Sequence, residues 1–148
     1  MLQIAHTGLY VKDLEKITLF YRVVFGMHIV CENYIQKGEL IEALLHDKKN
    51  SIKITKLISD QGKISGIDDM LELIQVEKQT LEKKEQTIFC PGVMHIGFRV
   101  DDLEATVRKV LENNGSLYTE IFDMNNGRKC CFVKDPEGNY LELIEVKK

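Results

Sequence analysis

Two histidines and two glutamates stand at matching places in the two halves of this 148-residue sequence. His6 opens the stretch HTGLYVKDLE, and His95 opens the stretch HIGFRVDDLE. Glu72 lies in MLELIQV and Glu142 lies in YLELIEV, so each half runs from a histidine to a Leu-Glu-Leu-Ile segment. Imidazole nitrogens and carboxylate oxygens suit Ni, Co, Fe, Mn and Zn ions. The pattern indicates an internal duplication with a candidate divalent-metal site built from both copies.

The surroundings of the glutamates bear on this interpretation. In a strand, Leu71 and Leu73 point to the face opposite Glu72, and both faces carry apolar residues. A lone ionised carboxylate there would lose several kcal/mol of hydration unless it is neutralised, paired or bound to a cation. The structural interpretation stays open, because a single strand histidine is often a hydrogen-bonded core residue and a single such glutamate often faces solvent. The joint recurrence of both residue types favours the metal site.

The elements that would position these residues repeat as well. The apolar stretches around His6 and His95 predict strands, and Asp13 and Asp102 suit helix N-caps that precede amphipathic stripes. Further strands are predicted at 28–35, 51–58, 70–76, 116–122, 129–135 and 140–146. Each half is then a strand, a helix and three strands. The first half carries an insertion, part of which is a short helix predicted at 38–46.

Composition and charge limit the classes of function that the chain can have. The net charge of −3, without a dense basic cluster, argues against a nucleic-acid partner. No apolar run approaches the roughly 20 residues of a membrane helix, and the start does not resemble a signal peptide, so we expect no membrane partner and a cytoplasmic location. The four cysteines form no C-x-x-C pair, and Cys130 and Cys131 are predicted to be reduced neighbours on opposite faces of a strand. We assign 1–148 to a single domain, with module one at 1–78, a linker at 79–92 and module two at 93–148.

The sequence resembles the vicinal-oxygen-chelate superfamily, and within it the glyoxalase I group. The resemblance covers nearly the whole chain and is most specific at 6–27, 70–75, 94–105 and 132–145. It implies an α+β fold of two tandem βαβββ modules that form a curved mixed sheet around a metal. It also implies a homodimer. Its metal ligands would be His6, Glu72, His95 and Glu142, around one divalent ion such as Ni, Co or Zn.

The resemblance further implies a reaction. A glyoxalase I converts the hemithioacetal of methylglyoxal and a thiol to a lactoyl thioester through an enediolate, with the metal as Lewis acid. One glutamate moves the proton between neighbouring carbons. Glu142 is predicted to be that base, and Glu72 is the competing candidate. Relatives that use glutathione usually carry Arg where Tyr10 stands and Asn where Val76 stands, so the identity of the thiol stays open.

Other members of the superfamily supply the alternatives. Methylmalonyl-CoA epimerase transfers protons at a similar site but tends to have paired histidines where this chain has Met94-His95. Fosfomycin-type thiol transferases and extradiol dioxygenases normally need two His and one Glu, which leaves Glu72 without a role. Non-catalytic antibiotic-binding relatives lack the ligands and bind through an apolar cleft. Retention of all four candidate ligands favours an enzyme.

Overall fold

The computed structural model describes residues 4–66, 69–79, 87–124 and 127–146. The chain divides into two compact units, Met1–Leu81 and Glu82–Lys148. The boundary between them falls inside the predicted linker 79–92, of which residues 80–86 lie outside the described residues. That the two modules work as a single domain stays a prediction.

The first unit holds a four-stranded mixed sheet. Its strands are β1 (His6–Tyr10), β2 (His28–Gln36), β3 (Ile52–Ile58) and β4 (Met70–Val76), in the order β1-β4-β3-β2. β1 and β4 are parallel, whereas the β4–β3 and β3–β2 pairs are antiparallel. Its helices are α1 (Leu14–Phe25), α2 (Glu39–Leu45) and α3 (Asp60–Ser65). The first strand of the unit is therefore the neighbour of its last strand.

Helix α1 has the signals that the sequence predicts. The Asp13 side chain accepts a hydrogen bond from the Lys16 amide at 3.0 Å, and Gly26 ends the helix in the left-handed conformation with φ 66°. The buried face of α1 is made of Leu14, Ile17, Thr18, Phe20, Tyr21 and Val24. This face packs on β3 and β4, where Leu57 and Leu73 are fully buried. The core of the first unit thus lies between α1 and one face of its sheet.

The second unit repeats this plan. It contains β5 (Ile96–Val100), α4 (Leu103–Glu112), β6 (Ser116–Leu117), β7 (Phe122–Met124), β8 (Arg128–Lys134) and β9 (Tyr140–Val146). The sheet order is β5-β9-β8-β6, with β7 also paired to β8, and β5 is parallel to β9. The predicted α+β class and its βαβββ modules are confirmed, with a separate mixed sheet in each unit.

One local prediction needs correction, and one helix was not predicted. The strand predicted at 116–122 is divided into β6 and β7, because the amides of Tyr118 and Thr119 both donate to the Phe132 carbonyl and interrupt the ladder with β8. Helix α3 was not predicted, because its sequence, DQGKIS, is mostly polar and contains a glycine. The Ser59 side chain starts that helix by accepting from the Gly62 amide at 3.0 Å.

The cysteines agree with the sequence analysis. All four are free, and Cys130 and Cys131 are successive residues of β8, so their side chains lie on opposite faces. Cys131 is fully buried. Within the described ranges, no helix has both the length and the apolar character needed to cross a membrane.

Candidate functional site

His6 and Glu72 are neighbours on one face of the first sheet. Gly8 pairs with Glu72 across the parallel β1–β4 ladder, and His6 shares the face of Gly8 because it lies two residues earlier. His6 Nε2 is 3.4 Å from Glu72 Oε2. The Glu72 side chain is only 12% exposed, whereas that of His6 is 45% exposed. The prediction that Glu72 is buried is confirmed, whereas the paired His6 is partly exposed at the surface of the unit.

His95 and Glu142 form the matching pair in the second unit. Gly97 pairs with Glu142 across the parallel β5–β9 ladder, and His95 lies just before β5. His95 Nε2 is 3.2 Å from Glu142 Oε2, and both side chains are 26% exposed. Glu142 is therefore less buried than the apolar pattern of its strand predicts. Each unit thus brings one imidazole nitrogen and one carboxylate oxygen together at the same place in its sheet.

The glycine of each His-x-Gly stretch pairs directly with the glutamate of its unit across a parallel ladder. A methyl group on Gly97 would stand 3.7 Å from Glu142 Oε2, which is ordinary van der Waals contact. A methyl group on Gly8 would stand 3.8 Å from Ile74 Cδ1. An alanine would therefore fit at both places. A longer side chain at position 97 would come close to the Glu142 carboxylate.

The two pairs differ in the residue across the antiparallel ladder. Lys56 of β3 pairs with Glu72, and its Nζ lies 3.1 Å from Glu72 Oε1. Phe132 of β8 has the matching place opposite Glu142, and its ring meets the His95 ring edge-on at a centroid distance of 5.2 Å. Sequence reasoning missed Lys56, although a lysine within the apolar strand SIKITKLI is an available signal.

The imidazole and carboxylate donor atoms fit a divalent ion that is intermediate between hard and soft. Each unit offers one imidazole nitrogen and one carboxylate oxygen. His95 Nδ1 is buried without a hydrogen-bond partner in the part of the chain that the structure describes. Nε2, which faces Glu142, is therefore the His95 nitrogen that can coordinate a metal ion. The nitrogen and oxygen donors of each pair are of the types that Ni, Co and Zn accept.

Three carboxylates apart from the His–Glu pairs cluster at the start of α4. Carboxylate oxygens of Asp102, Glu104 and Glu145 lie within 4.8 Å of one another. Each of these carboxylates has a structural contact: Asp102 caps α4, and Glu145 accepts from the first amide of that helix at 2.7 Å. Glu104 pairs with Lys129 at 2.8 Å, and this hydrogen bond lowers the pKa of Glu104. The group is explained as helix capping and surface ion pairing.

The inserted helix α2 lies on the same sheet face as Glu72. Its Ile41 is buried against two isoleucines of β3, with Ile74 packed at the edge of this cluster. Ile74 is two residues after Glu72 and pairs with Tyr10, which is 44% exposed. The insertion and Tyr10 therefore both shape the surface next to the first His–Glu pair.

Comparisons with known proteins identify relatives along almost the entire chain. The family model described as Glyoxalase/Bleomycin resistance protein/Dioxygenase superfamily matches residues 3–143. A probable lactoylglutathione lyase of Synechocystis is 26% identical over 143 residues, which cover 95% of this chain and 93% of the relative. A lactoylglutathione lyase of Haemophilus influenzae is 29% identical over 149 residues, with coverages of 99% and 94%.

A solved structure agrees with these matches at the level of the fold. A glyoxalase family protein from Bacillus cereus superposes with a TM-score of 0.85, covering 98% of this chain and 94% of that protein. The sequence identity of this pair is 16%, so the likeness concerns the fold alone.

Proposed function

We propose that this chain, which belongs to the glyoxalase/bleomycin resistance protein/dioxygenase superfamily, is a metal-dependent lyase of the glyoxalase I type. Its substrate would be the hemithioacetal of a 2-oxoaldehyde such as methylglyoxal, and its product a lactoyl thioester. The observation that carries the proposal is the duplicated His–Glu pair, with N–O distances of 3.4 and 3.2 Å at matching places in the two sheets. Relatives named lactoylglutathione lyase support the same class of reaction.

We infer that His6, Glu72, His95 and Glu142 hold one divalent ion, with Ni, Co or Zn favoured. To bind the ion, the imidazoles must be neutral and the carboxylates ionised. When bound, such an ion polarises the two adjacent oxygens of the substrate as a Lewis acid. The remaining steps belong to side chains of this protein.

Glu142 is the better candidate for the base. It would accept the proton from the C–H of the hemithioacetal carbon and return it to the adjacent carbon. The hydroxyl proton would pass from the oxygen of the first carbon to that of the second, so that substrate and product are isomers. Protonation of Glu72 would leave the Lys56 ammonium, 3.1 Å away, without its counter-charge. Glu142 has the Phe132 ring at the matching place and loses no such partner. Glu72 remains the second candidate.

Two residues of the first unit bear on which thiol forms the hemithioacetal. Tyr10 and Val76 stand where glutathione-using relatives usually carry Arg and Asn, and Tyr10 is half-exposed beside the first His–Glu pair. An aromatic ring at this place contributes no charge to hold a carboxylate. We therefore propose a thiol other than glutathione as a substrate to be tested alongside glutathione.

The test is a metal-reconstituted assay. The metal-free chain is loaded with Ni²⁺, Co²⁺ or Zn²⁺, given methylglyoxal and glutathione, cysteine or coenzyme A, and followed by thioester formation. We expect turnover with at least one thiol that requires metal and is lost in His95→Ala. A protein that binds stoichiometric metal but turns over no thiol would refute the lyase and leave the metal site. Absence of metal binding would refute both. The homodimer and the cytoplasmic location stay predictions.

A further inference from the structure

We propose that Lys56 is a positioning residue that acts as an internal counter-cation for Glu72, so that the first His–Glu pair holds a divalent ion less tightly than the second. The inference rests on the proposed function, because it concerns the same metal ligands. It adds a residue that the repeat does not contain, and it makes the two halves of the candidate site unequal.

Both carboxylate oxygens of Glu72 already have a partner. Lys56 Nζ lies 3.1 Å from Oε1, and His6 Nε2 lies 3.4 Å from Oε2. Lys56 is the direct cross-strand neighbour of Glu72 in the β3–β4 ladder, so the backbone register sets this contact. An exposed lysine elsewhere on the surface would have no such constraint.

Burial strengthens this contact. The Glu72 side chain is 12% exposed and that of Lys56 is 35% exposed, so the pair is only partly solvated. Charges interact more strongly when water and salt screen them less. A divalent ion that reaches Glu72 must therefore displace the ammonium or bind next to a like charge. Either course weakens metal binding at this carboxylate.

The second pair lacks this competitor. Phe132 has the place that matches Lys56, and within the described part of the chain Glu142 has an ion pair only with His95. Within the described residues, an arriving cation meets no lysine ammonium at that carboxylate. We therefore expect Glu142 to contribute more to metal affinity than Glu72, with Lys56 as the cause of the difference.

Lys53 provides a matched control. It lies on the same strand, three residues before Lys56, and pairs with Gln75 rather than with an acidic residue. Its side chain points to the opposite face, because the two positions differ by an odd number. Replacing it removes the same charge from β3 without touching Glu72.

The experiment measures the zinc dissociation constant of the full chain by competition with a chelating dye. Lys56→Met should lower this constant about tenfold, whereas Lys56→Arg and Lys53→Met should leave it near the wild-type value. Glu72→Gln should raise the zinc dissociation constant a few-fold in the wild type. In the Lys56→Met background, the factor by which Glu72→Gln raises this constant should be about ten times larger. Thermal unfolding of each variant verifies that it is folded.

Two negative results can be told apart. If wild type binds zinc and Lys56→Met binds no more tightly, or if the two substitutions act additively, Lys56 has no competing role and only this inference fails. If neither wild type nor Lys56→Met binds zinc, the metal-dependent function fails along with it. Zinc binding that appears only in Lys56→Met would support the competing role of Lys56 but would refute the metal-dependent function of the unaltered chain.

Discussion

Gly97 and Glu142 stand directly opposite each other across the parallel β5–β9 ladder, and a methyl group on Gly97 would stand 3.7 Å from Glu142 Oε2. Gly8 and Glu72 have the same pairing across β1 and β4, but the atom nearest to a methyl group on Gly8 would be Ile74 Cδ1 at 3.8 Å. In the second unit, the residue opposite the candidate ligand Glu142 therefore has no side chain, and one larger than a methyl group would come close to the carboxylate.

Gly97 is the place to test this accessibility. Gly97→Ala should keep metal affinity, because its methyl group would lie in ordinary contact 3.7 Å from Glu142 Oε2. Gly97→Val adds two methyl groups next to the carboxylate and should weaken metal binding about tenfold or more. Titration of both variants with zinc measures the effect. Equal affinity of the valine variant and wild type would show that the metal does not approach along this flank.

Glu142 is the next test, because it is the proposed base. Glu142→Gln should lower kcat by about 100-fold or more, since an amide cannot accept the proton. Glu112→Gln, on the exposed side of α4, is a charge-matched control and should behave like wild type. The comparison requires measured metal content for each variant. Normal turnover in a metal-loaded Glu142→Gln protein would transfer the role to Glu72.

Asp102 is expected to stabilise the second unit. Its side chain accepts from the Ala105 amide at 2.7 Å at the start of α4. Asp102→Ala removes this cap and should lower the free energy of unfolding by about 1 kcal/mol, whereas Asp102→Asn should cost less because it keeps the acceptor. Urea denaturation measures both. An alanine variant as stable as wild type would mean that the cap adds nothing measurable.

Cys131 gives a prediction for alkaline pH. Burial raises the pKa of its thiol from 9.0 to about 11, and the neighbouring Cys130 adds to the shift. The unfolded thiol therefore loses its proton first, so stability that is complete below about pH 9 declines as the pH rises toward 11. By about pH 10 the loss should be about 1 kcal/mol.

The measurement compares urea denaturation at about pH 8 and about pH 10 for wild type and Cys131→Ala. The alanine variant should be less stable at both pH values because of its cavity, but its decline between them should be smaller. Equal declines in the two proteins would assign the alkaline loss to other groups.

The strands that carry the candidate site were predictable because their apolar runs are bounded by clear turn signals. The segments 70–76 and 140–146 were predicted with the bounds that β4 and β9 have. The caps at Asp13 and Asp102 were predictable for a similar reason, since capping depends on neighbouring residues. That the four residues share one metal stays a prediction.

The contact between Lys56 and Glu72 was beyond sequence reasoning, because it depends on which residue of β3 faces which residue of β4. The two strands are separated by α3, and a shift of one residue would turn Lys56 to the other face. The division between β6 and β7 has the same origin. It depends on the carbonyl of Phe132, a distant residue, which accepts two successive amides.

The pairing of the first strand of each unit with its last has a consequence for folding kinetics. His6 precedes Glu72 by most of the first unit, so the two residues meet only after β4 has been made and has docked on β1. Contacts between residues so distant in sequence form slowly, because the loop between them must be closed first. Each His–Glu pair is therefore completed late, and a nascent or truncated chain would carry the histidines without the arrangement that makes them useful.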